Sequence, residues 1–87
     1  MIIIWSTSFR KDYKKLSSEK KKLVQNSLKI FATNPFNPSL ENHSLSGKLK
    51  GHFAIKAGYD LRIIYRQEKG YAVVIVVAVG KHDEMYR

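Results

Sequence analysis

The chain has 87 residues and carries 16 Lys plus Arg against 7 Asp plus Glu, a formal net charge of +9. With 44% apolar residues it is long enough for one domain around one modest core, spanning 1–87, and too apolar for a disordered tail. The basic excess points to an anionic partner, either nucleic acid or an acidic protein or both, while the absence of cysteine excludes disulfide staples, a thiolate nucleophile and a Cys-based zinc site.

Ile2 to Trp5 is β-branched and bulky and reads as a first strand, with three consecutive isoleucines predicting burial on both faces. Ser6-Thr7-Ser8 caps a short helix whose apolar face is Phe9, Tyr13 and Leu16. Ser17-Ser18 breaks it. Ser18 is the expected cap of a second helix over about Glu19–Thr33, with Leu23, Val24, Ser27, Leu28 and Phe31 as its buried stripe and Asn34-Pro35 as its stop. Asn34 to Ser46 reads as a loop. Three strands follow, at roughly Leu49–Ala57, Leu61–Arg66 and Tyr71–Val79, with turns at Ala57–Asp60 and Gln67–Gly70. The last strand has no polar interruption from Tyr71 to Val79 and is expected to be central and covered on both faces. The longest apolar run, Ala72 to Val79, is too short for a bilayer span. Met1 to Trp5 lacks the basic n-region of a signal peptide, so a cytoplasmic location and no membrane partner are expected.

The chemistry-bearing residues gather around Gly47–Ile64 and Gly80–Tyr86. Period-two alternation sets Phe53, Ile55 and Ala57, then Leu61, Ile63 and Tyr65, toward a core. Lys56 and Arg62 then lie on the other face of neighbouring strands and approach each other across the turn. Such a pair suits a phosphate, although edge strands also carry Lys and Arg simply to block edge pairing. His82, Lys81 and Tyr86 follow the last strand. Metal-free RNA cleavage needs a base for the ribose 2′-OH, cations for the phosphoryl oxygens and an acid for the departing 5′-oxygen. Lys56, Arg62, His82 and Tyr86 supply that inventory. A basic ligand surface would supply it too. His43, His52 and His82 show no metal-ligand spacing.

The segments Phe9–Lys15, His43–Gly47, Leu49–Gly51, Tyr59–Arg66 and Val79–Tyr86, in that order, resemble the RelE/ParE superfamily of toxin–antitoxin toxins, on the RelE, YafQ and YoeB-like ribonuclease side. The resemblance implies an α+β fold in which an N-terminal strand, a helical hairpin and a three-strand antiparallel meander form one twisted sheet, similar to microbial RNases. It also implies a ribosome-dependent mRNA endonuclease toxin of a type II system, cleaving through 2′-OH attack to a 2′,3′-cyclic phosphate. Such an enzyme needs no cofactor or metal, and its partners are a cognate acidic antitoxin, the ribosome and mRNA.

Residue by residue, His43, Asp60 and His82 match the YafQ-like pattern, and Lys56 and Arg62 the RelE-like one. Tyr86 takes the terminal aromatic position of both. The second RelE-like lysine is replaced by Ala54. Lys56, Arg62, His82, Tyr86, His43 and Asp60 are thus the implied catalytic set, with Arg66 and Lys81 as substrate contacts. Lys56 and His82 are interchangeable as base and acid at this level, and His43 is a further candidate base. Two alternatives stand beside this reading: a ParE-like, non-enzymatic inhibitor of DNA gyrase, and an inactive basic interaction module.

Overall fold

A computed structural model describes residues 1–85. Strand β1 (Ile2–Trp5) leads into helix α1 (Thr7–Lys14) and helix α2 (Ser18–Thr33). Two 3-10 turns flank the two-residue strand β2 (His43–Ser44). Strands β3 (Phe53–Ala57), β4 (Leu61–Glu68) and β5 (Val73–Lys81) follow, and a single helical turn, α3 (His82–Met85), comes after them. The fold is the α+β arrangement expected, with five strands in the order β1-β5-β4-β3-β2. β5, β4, β3 and β2 pair antiparallel, and β1 joins β5 in parallel, so the sheet is mixed.

Both longer helices begin on serine caps. Ser6 Oγ accepts from the Phe9 N–H at 3.1 Å, and Ser17 Oγ from the Lys20 N–H at 3.2 Å. The α2 cap is therefore Ser17, one residue before the expected Ser18, because a hydroxyl at that place reaches the third amide of the helix. The helices cover one face of the sheet. Phe9, Val24, Phe31, Ile55, Ile63, Tyr65, Val74 and Val76 are essentially sealed between the two layers. Truncating one of the large ones to alanine costs about 2–5 kcal/mol by lost transfer energy and the cavity left behind.

β1 departs from expectation. Ile3 and Trp5 pack on the core, but Ile2 and Ile4 are 62% and 47% exposed. The cause is position: β1 is an edge strand, and the helices cover only one side of it. β5 lies between β1 and β4, while β4 holds the middle of the order. β1 ends at Trp5, and α1 side chains take over the open rim of β5. Ser8 Oγ donates to the Val77 carbonyl at 2.6 Å, and the Val79 N–H donates to Asp12 Oδ2 at 3.1 Å. These bonds satisfy backbone groups that a longer β1 would otherwise pair.

The expected strand from Leu49 starts only at Phe53. Gly47 and Gly51 have φ of +64° and +90° and fold Gly47–Leu49 into a 3-10 turn. The expected loop 34–46 contains one element of the sheet, β2, and is pinned from inside. Tyr65 Oη donates to Asn42 Oδ1 at 2.7 Å, and Asn42 Nδ2 donates to the Pro35 carbonyl at 2.9 Å. Tyr65 is fully buried against Phe31 and Phe53, so the residue just before His43 is tied to the core.

Candidate active site

The register of the β3–β4 hairpin places Lys56 directly opposite Arg62, and Ala54 opposite Ile64. β2 sets His43 opposite Ala54, and β5 sets Gly80 opposite Arg62. Directly paired residues point to the same side of a sheet, and residues two apart share a face. His43, Lys56, Arg62 and Arg66 thus lie on the face turned away from α1 and α2. Phe53, Ile55, Leu61, Ile63 and Tyr65 lie on the other. His43 and Lys56 are diagonal neighbours on this face, in adjacent rows about 7 Å apart along the strands.

Each side chain is held differently. Lys56 is partly buried and its Nζ lies 3.1 Å from Glu41 Oε2. Its backbone is held as well, because Ser27 Oγ on α2 donates to the Lys56 carbonyl at 3.1 Å. Arg62 is partly buried, and its Nη1 donates to the Leu61 carbonyl at 2.9 Å. His43 is exposed, with Nδ1 2.9 Å from the Glu41 carbonyl oxygen. A carbonyl can only accept, so Nδ1 carries the proton, and in the neutral ring Nε2 keeps its lone pair.

Asp60 and His82 meet at the end of the sheet through the backbone: the His82 N–H donates to the Asp60 carbonyl at 3.0 Å. The Asp60 side chain is exposed in the turn, and His82 Nδ1 lies 3.5 Å from Asp83 Oδ1. Arg66 is exposed on the same face as Arg62, one row beyond Ile64. Lys81 is set apart. It pairs with Leu61, a core-side residue, and borders a cleft on the helix side with Lys15, Lys20 and Asp12. Tyr86 lies outside the described residues. Among the described residues, no group of three His, Asp or Glu side chains is placed to hold a metal ion, and no helix is long and apolar enough to cross a membrane.

Sequence reasoning missed Glu41. It terminates the Pro38–Leu40 turn with φ +48° and touches both Lys56 and His43, one through its side chain and the other through its carbonyl. No local pattern marks a glutamate for that conformation, which favours Gly, Asn or Asp. Its proximity to Lys56 arises only once β2 joins the sheet. Asn42 and Ser27 were missed as supports for the same reason.

Against known proteins, the family model for the bacterial toxin YafQ of type II toxin–antitoxin systems matches residues 1–87. Among solved structures, a metal-bound toxin from Helicobacter pylori is 27% identical, with 99% of each chain covered and a TM-score of 0.75. YafQ from E. coli strain BL21(DE3) is 22% identical over 98% of this chain and 97% of its own, with a TM-score of 0.74. A YoeB/ParE toxin from Agrobacterium tumefaciens is 18% identical over 94% and 99%, with a TM-score of 0.77. No curated protein matches the sequence.

Proposed function

The chain belongs to the YafQ family, within the RelE/ParE toxin superfamily, and from that premise we propose that it is a ribosome-dependent endoribonuclease that cleaves mRNA without a metal. The observation that carries the reading is the direct pairing of Lys56 with Arg62, with His43 diagonal to Lys56 on the same face. Like charges directly opposite each other destabilise a strand pair. A phosphodiester between them offsets that cost.

In the proposed step, His43 Nε2 takes the proton of the ribose 2′-OH. The 2′-oxygen bonds to phosphorus as the bond to the 5′-oxygen breaks, and His82 gives that oxygen its proton. The products are a 2′,3′-cyclic phosphate and a 5′-OH. Lys56 and Arg62 neutralise charge that develops on the phosphoryl oxygens, with Arg62 as the planar fork and Arg66 as a contact for a neighbouring phosphate. Lys56 is assigned as a cation and His43 as the base, because Lys56 stands in an ion pair whereas the His43 ring is held with Nε2 as acceptor. Asp60 lies beside His82 and helps orient it. Tyr86 stacks on the scissile nucleotide. Lys81, on the other side of the sheet, contacts structured RNA together with Lys15 and Lys20.

The ribosome would supply the orientation that a single small site cannot impose on a long mRNA. The test compares cleavage of free mRNA with mRNA on translating ribosomes: strong cleavage only on ribosomes is expected, and equal rates would overturn the ribosome dependence. The expected inhibitor is a small acidic antitoxin whose C-terminal segment folds on binding, recovered by co-expression and pull-down. Cleaved DNA trapped on gyrase with mRNA left intact would favour the ParE-like alternative.

A further inference from the structure

Glu41 is one of 7 acids in a chain with 16 Lys and Arg. Among the described residues, its contact with Lys56 is the single Lys or Arg ion pair. The pairing comes at a backbone cost, since a glutamate at φ +48° is less comfortable than glycine or asparagine. Three restraints hold it there. Leu40 beside it is 1% exposed, the Glu41 N–H donates to the Pro38 carbonyl at 3.2 Å, and Asn42 after it is tied to Tyr65. The carboxylate is thereby delivered to the one lysine that stands directly opposite an arginine. Lys56 and Arg62 stand opposite each other as like charges, and Glu41 sets an anion beside the lysine of that pair.

We propose that Glu41 is the resident anion of the phosphate site, a built-in competitor that occupies Lys56 in the free protein and is displaced by a phosphodiester. This rests on the reading of Lys56 and Arg62 as phosphate-binding cations. The geometry supports displacement more than permanent pairing. The Glu41 side chain is 61% exposed, so water can take over its carboxylate, while the Lys56 side chain is only 33% exposed and its backbone is held by Ser27. An ion pair this accessible adds little to stability, yet a carboxylate within a few ångströms of a bound phosphate opposes its binding appreciably. Glu41 thus acts through Lys56. It lowers affinity for RNA that reaches the site without the ribosome's orientation, and leaves cleavage to substrate held there by other contacts.

The test is NMR titration of the whole chain with a DNA trinucleotide, which lacks the 2′-OH and cannot be cleaved. Glu41→Gln is expected to bind it about three- to tenfold more tightly than the native protein, with thermal stability unchanged. Glu41→Asn, which removes the charge and suits the left-handed backbone, should show the same gain. Removing any acid from a protein raises its affinity for polyanions, so two controls separate that effect. Glu19→Gln, on the exposed start of α2, should give a much smaller gain, and the Glu41→Gln gain should disappear in a Lys56→Ala background. Unchanged or weaker binding by both Glu41 variants, or a gain that persists without Lys56, overturns the proposal. Wild-type protein that fails to cleave mRNA on ribosomes, with the Lys56-dependent gain intact, would remove the nuclease reading and leave the competitor standing.

Discussion

Ser27 Oγ donates to the carbonyl oxygen of Lys56 at 3.1 Å, so the buried polar residue of α2 holds the backbone of the site's lysine. β2 pairs only with Phe53 and Ala54, which leaves this stretch of the β3 rim to α2. Ser27→Ala is expected to cost about 1–2 kcal/mol, because it takes the donor from a partly buried carbonyl, and to lower the cleavage rate by loosening Lys56. Urea unfolding and single-turnover cleavage measure the two effects.

His82→Ala should lower cleavage on programmed ribosomes by about 10²–10⁴, the range for losing a proton-transfer group, while antitoxin binding and stability hold. His43→Ala should fall in the same range, whereas Lys56→Arg, which keeps the charge, should retain much of the rate. A folded His82→Ala protein cleaving at nearly the native rate would eliminate His82 as acid. Near-complete loss in Lys56→Arg with an active His43→Ala would move the base from His43 to Lys56.

Burial raises the proton affinity of the Tyr65 phenol well above the ordinary tyrosine range, and its contact with Tyr71 raises it further, against a smaller opposing effect from Asn42. Above about pH 10 the unfolded chain releases this proton and the folded chain keeps it. Stability from Tyr65 is therefore fully present below about pH 10 and declines above it, by up to about 1.4 kcal/mol per pH unit. Tyr65→Phe should cost about 1–3 kcal/mol near neutrality by leaving Asn42 short of its donor, and should flatten the alkaline decline. Denaturant unfolding from pH 7 to 11.5 checks both signs.

Gly58 turns the β3–β4 hairpin with φ +70°, and a Cβ there would stand 2.7 Å from Leu23 Cδ1. Leu23 is 40% exposed and able to move, so the backbone dominates the cost. Gly58→Ala is expected to destabilise by about 1–2 kcal/mol. It should also lower cleavage, because the hairpin register sets Lys56 against Arg62. Thermal unfolding together with a cleavage assay reads this out.

The β3–β4 hairpin was legible because alternation and a glycine turn are local signals, and they set Lys56 against Arg62 without help from the rest of the chain. The helices were legible from apolar spacing to within one residue at the cap, but Leu23, read into the buried stripe of α2, lies at its edge and is 40% exposed. β2 was not: two residues carry no period, and only pairing with β3 makes them a strand. Ile2 to Ile4 looked buried on both faces because composition cannot distinguish an edge strand from a central one. Tyr71 to Val79 hid its faces in the same way. The irregularity opposite Ile64/Tyr65 shifts the β5 alternation, so that Val76 and Val79 both reach the core. Glu41 escaped entirely, since its role depends on a left-handed backbone and on strands that meet only in the folded molecule.

The parallel pairing of β1 with β5 joins Ile2 to Val73 and Trp5 to Val76, the most widely separated contacts in the sheet. The helices and the β3–β4 hairpin close over short sequence separations, whereas β1 has no strand to join without Val73–Lys81. Contacts of such long sequence separation form late and slowly. Until β1 closes on β5, Ile3, Trp5 and the outer rim of β5 stay uncovered, so the edge that seals this side of the core is expected to be the last part of the sheet to form.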